Sequence, residues 1–87
     1  MYRLQIQDRA IHDLKGLDKG VARRIISRLN WLAGNIDSIR RESLAGELSD
    51  YHKFRVGDYR ILYQVFDDTQ IIVIHRIGHR REIYQGR

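Results

Sequence analysis

The chain has no cysteine and no proline in 87 residues. Without thiols there is no disulfide framework and no thiolate metal site, so packing alone must hold the fold, which suits a reducing cytosol. There is also no repeat, no low-complexity tract and no Gly/Ser-rich linker. A chain of this length supports one domain, residues 1–87, with one core of modest size, and excludes a buried multi-substrate cleft. No apolar run approaches the roughly 20 residues of a membrane span. The opening Met1-Tyr2-Arg3-Leu4-Gln5 lacks the apolar centre of a signal peptide. The expectation is a soluble, cytoplasmic protein with no membrane association.

What is present in excess is positive charge. Sixteen Lys and Arg stand against eleven Asp and Glu, a net charge of +5. Residues 1–50 carry nine cations and seven acids (net +2), whereas residues 51–87 carry seven cations and four acids (net +3) in a shorter segment. A basic half attracts polyanions by counterion release, and arginine matches phosphate oxygens with a planar fork of donors. The same excess is also compatible with an ordinary solvated surface.

Hydrophobic spacing divides the chain into elements. Tyr2, Leu4 and Ile6 alternate with polar residues, the period of a half-buried strand. Asp8 is placed to cap a short helix carrying Ile11, Leu14 and Leu17 on one side, and Asp18 to cap a longer one. There Val21, Ile25, Leu29 and Leu32 form an apolar stripe widened by Ala22, Ile26 and Ala33, and Gly34-Asn35 ends it. From residue 51 the period changes to that of strands. Residues 51–56 put Phe54 and Val56 on one face and Lys53 and Arg55 on the other, Gly57-Asp58 reads as a two-residue hairpin turn, and Tyr59 to Phe66 returns. Asp67-Asp68-Thr69 turns the chain again into Gln70 to Ile77, whose run Ile71-Ile72-Val73-Ile74 implies a strand covered on both faces. The expected fold is α+β: an N-terminal strand, then an antiparallel helical hairpin packed on one face of a small antiparallel sheet (β-α-α-β-β-β), then a short C-terminal turn or helix.

Two segments carry chemistry: Phe54-Arg55-Val56-Gly57-Asp58-Tyr59-Arg60 and Ile77-Gly78-His79-Arg80-Arg81-Glu82-Ile83-Tyr84. Both combine cations with aromatic rings, the groups needed to hold a phosphodiester and move a proton. RNA carries its own nucleophile in the 2′-hydroxyl. Its cleavage needs a base, cationic stabilisation of the phosphoryl oxygens and an acid for the departing 5′-oxygen, with no metal required. Arg60 has a second reading, as a surface arginine covering apolar area with its stem. Against that, Arg55 and Lys53 lie across the hairpin from it, and like charges set opposite each other cost stability that a phosphate would relieve.

With Leu44-Ala45-Gly46-Glu47-Leu48 between the helices and strands, these motifs resemble the RelE/ParE superfamily of toxins over essentially the whole chain, and more closely its RelE-like messenger-RNA interferases. The resemblance implies a type II toxin–antitoxin toxin, a metal-independent endoribonuclease that cleaves mRNA in the ribosomal A site by 2′-hydroxyl attack. Its implied partners are the ribosome with its 16S rRNA, mRNA and a RelB-like antitoxin, in a toxin–antitoxin hetero-oligomer. By the same resemblance Arg60 matches a phosphate-clamping arginine, and Arg80 an arginine at the leaving group. Because arginine holds its proton so strongly, electrostatic stabilisation is the role Arg80 suits. Tyr84 matches a tyrosine that orients or deprotonates the 2′-hydroxyl or stacks on a base. A phenol of ordinary pKa near 10 needs neighbouring cations to act as a base, and Arg80 and Arg81 are at hand.

The family's lysine-rich strand is replaced here by His52, Lys53 and Arg55, so the division of roles within that trio is open. His79 is open between an acid–base role and a structural one. His52 and His75 read as surface or core residues. His12 lies on the first helix. With no i, i+4 histidine pair and no nearby carboxylates, neither a metal site nor a cofactor is expected. Arg23, Arg24 and Arg28 form a polar stripe on the second helix, compatible with solvation or with rRNA, and Trp31 falls off the apolar stripe. Two rival functions share the expected fold: a ParE-like toxin that inhibits DNA gyrase by binding, and a noncatalytic RNA-binding module.

Overall fold

The computed structural model describes residues 2–44, 46 and 50–83. Tyr84 and most of the Leu44-Ala45-Gly46-Glu47-Leu48 motif lie outside the described residues. The elements run β1 (Arg3–Ile6), α1 (Asp8–Lys15), α2 (Lys19–Asn35), β2 (Glu42–Ser43), β3 (His52–Val56), β4 (Tyr59–Phe66) and β5 (Ile71–His79). One five-stranded sheet in the order β1-β5-β4-β3-β2 carries the two helices. β3, β4 and β5 form the expected antiparallel meander. The sheet is mixed, however, because β1 lies parallel to β5, with Leu4 beside Ile72 and Ile6 beside Ile74. The two-residue β2 extends the far edge, a strand that no alternation in residues 42–43 announces.

The helix starts differ in detail from expectation. Gln7, not Asp8, caps α1, because the Gln7 N–H is still tied to Ile74 of the sheet while its carbonyl already accepts the Ile11 N–H. Asp8 becomes the first helical residue, where its carboxylate complements the helix dipole. Asp18 does cap α2, through its carbonyl, which accepts from Ala22 at 2.9 Å, and not through its side chain.

The core lies between the helices and one face of the sheet. Ala10, Ile25, Leu29 and Leu32 meet Ile61, Tyr63, Ile72 and Ile74, all essentially without solvent exposure. Each of these isoleucine and leucine side chains contributes about 1.5–3 kcal/mol by leaving water. Ile11 and Ile26, expected inside, are 38% and 44% exposed. The apolar stripes of both helices are therefore narrower than their hydrophobic residues. β5 is covered on both sides, as its apolar run requires, with Val73 and Ile77 also buried. A bulge interrupts its ladder: Leu62 pairs with Arg76 and Tyr63 with Ile74, leaving His75 as the extra residue.

Candidate active site

Register decides which side chains share a face, since cross-strand partners project together. His52, Phe54 and Val56 stand opposite Tyr63, Ile61 and Tyr59, and Phe54, Val56, Ile61, Tyr63 and Tyr59 all join the core under the helices. Lys53 and Arg55, opposite Leu62 and Arg60, therefore occupy the other face. The turn that sets this register is Gly57-Asp58, where Gly57 takes φ +59°, a left-handed conformation that glycine adopts without strain.

The hairpin end gathers cations. Arg55 and Arg60 are direct cross-strand partners. The Arg60 guanidinium folds back on the turn, donating from Nη1 to the carbonyls of Gly57 and Tyr59, both at 3.0 Å. Arg80 reaches the same turn from the end of β5. Its backbone N–H donates to the Asp58 carbonyl at 2.8 Å, and its Nε lies 3.9 Å from the Asp58 carboxylate. From α2 comes Arg24, so close that a Cβ on Gly57 would sit 3.3 Å from its Nη2. The helix stripe noted in the sequence thus contributes one member to this cluster. Lys53 lies two residues before Arg55 on β3, and the two share Glu42, at 3.7 and 3.6 Å.

Among the described residues, five cations around Gly57 and Glu42 face two carboxylates, Glu42 and Asp58. The pairs are long and largely exposed. Surface ion pairs of that kind are worth about 0–1 kcal/mol, so a phosphate able to take bidentate arginine contacts displaces them readily.

Of the sequence-predicted site residues, the structure brings together Arg55, Arg60 and Arg80, with Lys53 one residue pair along the same face as Arg55. His79 is not on that face. It pairs with Tyr59 and lies edge-on to that ring at 5.6 Å, with Nδ1 accepting the Arg81 N–H at 3.1 Å. Ile83 is buried and packs on Gly78, the cross-strand partner of Arg60.

The remaining histidines are engaged elsewhere. His52 is held below the ordinary imidazole range by burial and by Arg41, and its Nδ1 lies 3.0 Å from the Ser43 hydroxyl. His75 is also pushed down by burial, and its Nε2 donates to Gln64 Oε1 at 2.8 Å. Among the described residues, no three His, Asp or Glu side chains cluster as metal ligands, and no helix is long and apolar enough to cross a membrane.

The molecule is thus a small basic α+β protein, a two-helix hairpin on a five-stranded sheet with an arginine-rich hairpin end on the face opposite the helices. Residues 4–84 match the family described as the ParE toxin of the type II toxin–antitoxin system parDE, and the chain belongs to that family, within the RelE/ParE superfamily. Solved RelE structures share the fold. The chain is similar to the toxin–antitoxin complex RelBE2 from Mycobacterium tuberculosis, at 26% identity over 91% of this chain and 98% of the other, with a TM-score of 0.82. It is similar to the isolated E. coli RelE toxin, at 25% identity, 97% and 92% coverage and a TM-score of 0.75. It also resembles the RelB–RelE antitoxin–toxin complex from Methanococcus jannaschii, at 26% identity, 91% and 93% coverage and a TM-score of 0.67. No curated protein sequence matches the chain.

Proposed function

We propose that this toxin is a metal-independent endoribonuclease that cleaves mRNA in the ribosomal A site and so stops translation. The observation that carries the reading is the pairing of Arg55 directly opposite Arg60, with Arg80 tied to the turn between them. A fold stabilised only by its own contacts has no use for adjacent like charges, whereas a phosphodiester has. In the reaction the 2′-oxygen attacks the adjacent phosphorus and the bond to the 5′-oxygen breaks. The products are a 2′,3′-cyclic phosphate and a 5′-hydroxyl end. Arg60 and Arg55 hold the nonbridging oxygens, Lys53 adds to their field, and Arg80 offsets charge on the departing oxygen.

In this reading Tyr84 takes or orients the 2′-hydroxyl proton. Its neighbour Ile83, packed beside the partner of Arg60, supports that assignment. His79, turned to Tyr59 on the other face, steadies the end of β5 in this reading. The natural inhibitor is a RelB-like antitoxin, an acidic and partly disordered chain that folds over the basic surface in a hetero-oligomer in the cytoplasm.

Expression of the chain in growing cells, with transcript ends mapped by primer extension, tests the proposal. Cleaved messages ending in 2′,3′-cyclic phosphate are expected, with Arg60→Ala and Arg80→Ala each slowing cleavage by about a hundredfold or more while both variants still bind antitoxin, and Tyr84→Phe weakening it. The family model that matches is named for ParE, which favours one rival, gyrase inhibition. Intact transcripts with falling DNA supercoiling would establish that rival and overturn the nuclease reading.

A further inference from the structure

Where α2 passes the edge of β3, a cleft of about 250 Å³ opens between helix and sheet. Its aromatic wall is unusual for this chain. Trp31 and Phe54 have ring centroids 6.3 Å apart and planes within 11° of parallel. The Arg28 guanidinium rests 4.4 Å from the centre of the Trp31 ring and 5.6 Å from that of Phe54. Trp31 is 39% exposed, although Ile25, Leu29 and Leu32 on the same helix are fully buried. A large flat ring thus remains in water where the core had no use for it.

The rim of the cleft is basic. Arg28, Arg40, Lys53 and Arg55 line it against one carboxylate, Glu42. β2 pairs only with His52 and Lys53, so the β3 edge from Phe54 onward has no strand partner among the described residues. Lys53 and Arg55 belong both to this cleft and to the cluster around Arg60. An extended chain with one phosphate between Arg55 and Arg60 therefore continues over the β3 edge onto Trp31.

Flat aromatic faces interleaved with cations are the chemistry of single-stranded nucleic-acid grooves, where bases stack and the backbone is held by charge. An apolar peptide side chain would be served by the rings but not by four cations, and an acidic segment by the cations but not by parallel rings. Resting on RNA as the toxin's ligand, we infer that this cleft is a base-stacking subsite: one nucleobase beside the scissile linkage lies on Trp31, and its flanking phosphate is held by Arg28, Arg40 and Arg55.

Trp31 is the chain's single tryptophan and therefore its own reporter. The full-length protein is titrated with a short single-stranded oligoadenylate carrying 2′-O-methyl groups, which has no free 2′-hydroxyl and cannot be cut. An abasic oligomer of the same backbone and an acidic peptide serve as competing probes. Quenching of Trp31 by the oligoadenylate and not by the abasic oligomer is expected. By anisotropy of a labelled probe, Trp31→Ala is expected to weaken oligoadenylate binding by about tenfold or more and leave abasic binding unchanged, with Trp31→Phe restoring most of the loss. The unchanged abasic affinity reports that the variant is folded. Equal quenching by both oligomers, equal losses in Trp31→Ala, or quenching by the acidic peptide alone would overturn the subsite. Because no cleavage is measured, a protein that stacks the base yet leaves transcripts intact separates the fate of the subsite from that of the proposed nuclease.

Discussion

A single carboxylate, Asp67, joins three distant parts of the chain. The Tyr2 hydroxyl donates to it at 2.6 Å and Arg41 Nη2 at 3.1 Å, so the turn after β4 is fastened to the N-terminal strand and to the segment entering β2. These bonds act on both partners' protons. The hydrogen bond from Tyr2, and then Arg41, hold Asp67 below the usual carboxylate range, while the bond to Asp67 and burial push Tyr2 up to about 12. For Asp67 the folded pKa is depressed, so its contribution is present above the ordinary carboxylate pKa and lost as the pH falls through the lowered value. For Tyr2 the folded pKa is raised, so its contribution is present below 10.0 and lost as the pH rises toward about 12. Thermal unfolding of Tyr2→Phe at a series of pH values should therefore show a shallower loss of stability in acid and a smaller alkaline loss, the part that remains coming from the buried Tyr63 phenol, which is also pushed up. A variant with the same pH profile as the parent would show that the bond does not link folding to pH. None of this was legible in the residues themselves, where Asp67 reads only as part of a turn.

At the scale of elements, the tether between α1 and the sheet edge is polar. β1 ends beside Ile74, and beyond it the edge of β5 is met by Asp13 of α1. The Asp13 carboxylate accepts from Arg76 Nε and from the Ile77 N–H, both at 2.9 Å. Asp13→Ala should cost about 2 kcal/mol, since it removes charge-assisted bonds and leaves a half-buried arginine and an edge N–H without this acceptor. Asp13→Asn should cost less, because an amide oxygen still accepts; chemical denaturation of the pair measures the difference, and equal stabilities of parent and Asp13→Ala would refute the tether. The meander was the most readable part of the fold. Tyr59–Phe66 is a strand over the expected residues, because its β-branched and aromatic residues and a two-residue turn with glycine leave little freedom. That same turn fixes register, so the Arg55–Arg60 pair followed from the sequence as well. The direction of β1 did not, since alternation fixes a face and not a partner. The approach of Arg80 to the turn, the reversed face of His79 and the seat of Arg24 depend on where β5 and α2 end up, and no local pattern encodes them.

Over the whole molecule, charge and burial are arranged on opposite sides of the sheet. The helices cover one face with the apolar core, and the candidate site uses the other, so the cations at the hairpin end give up no hydrophobic packing. A protein of net charge +5 would attract RNA weakly from any side, and such diffuse attraction would not depend on any one arginine. A localised site behaves differently. If Lys53, Arg55, Arg60 and Arg80 grip the scissile phosphate and its neighbours in single-stranded RNA, the logarithm of affinity should fall with the logarithm of salt concentration, with a slope of about −0.7 for each phosphate neutralised. Replacing Arg60 by Gln should reduce the slope by about 0.7, whereas replacing Arg9, an exposed residue of α1, should leave it nearly unchanged. Titrations of the uncleavable oligoadenylate at several salt concentrations measure both slopes. Equal reductions for Arg60→Gln and Arg9→Gln would mean that the basic hairpin end is one part of a general positive surface and not the place where the RNA backbone is gripped.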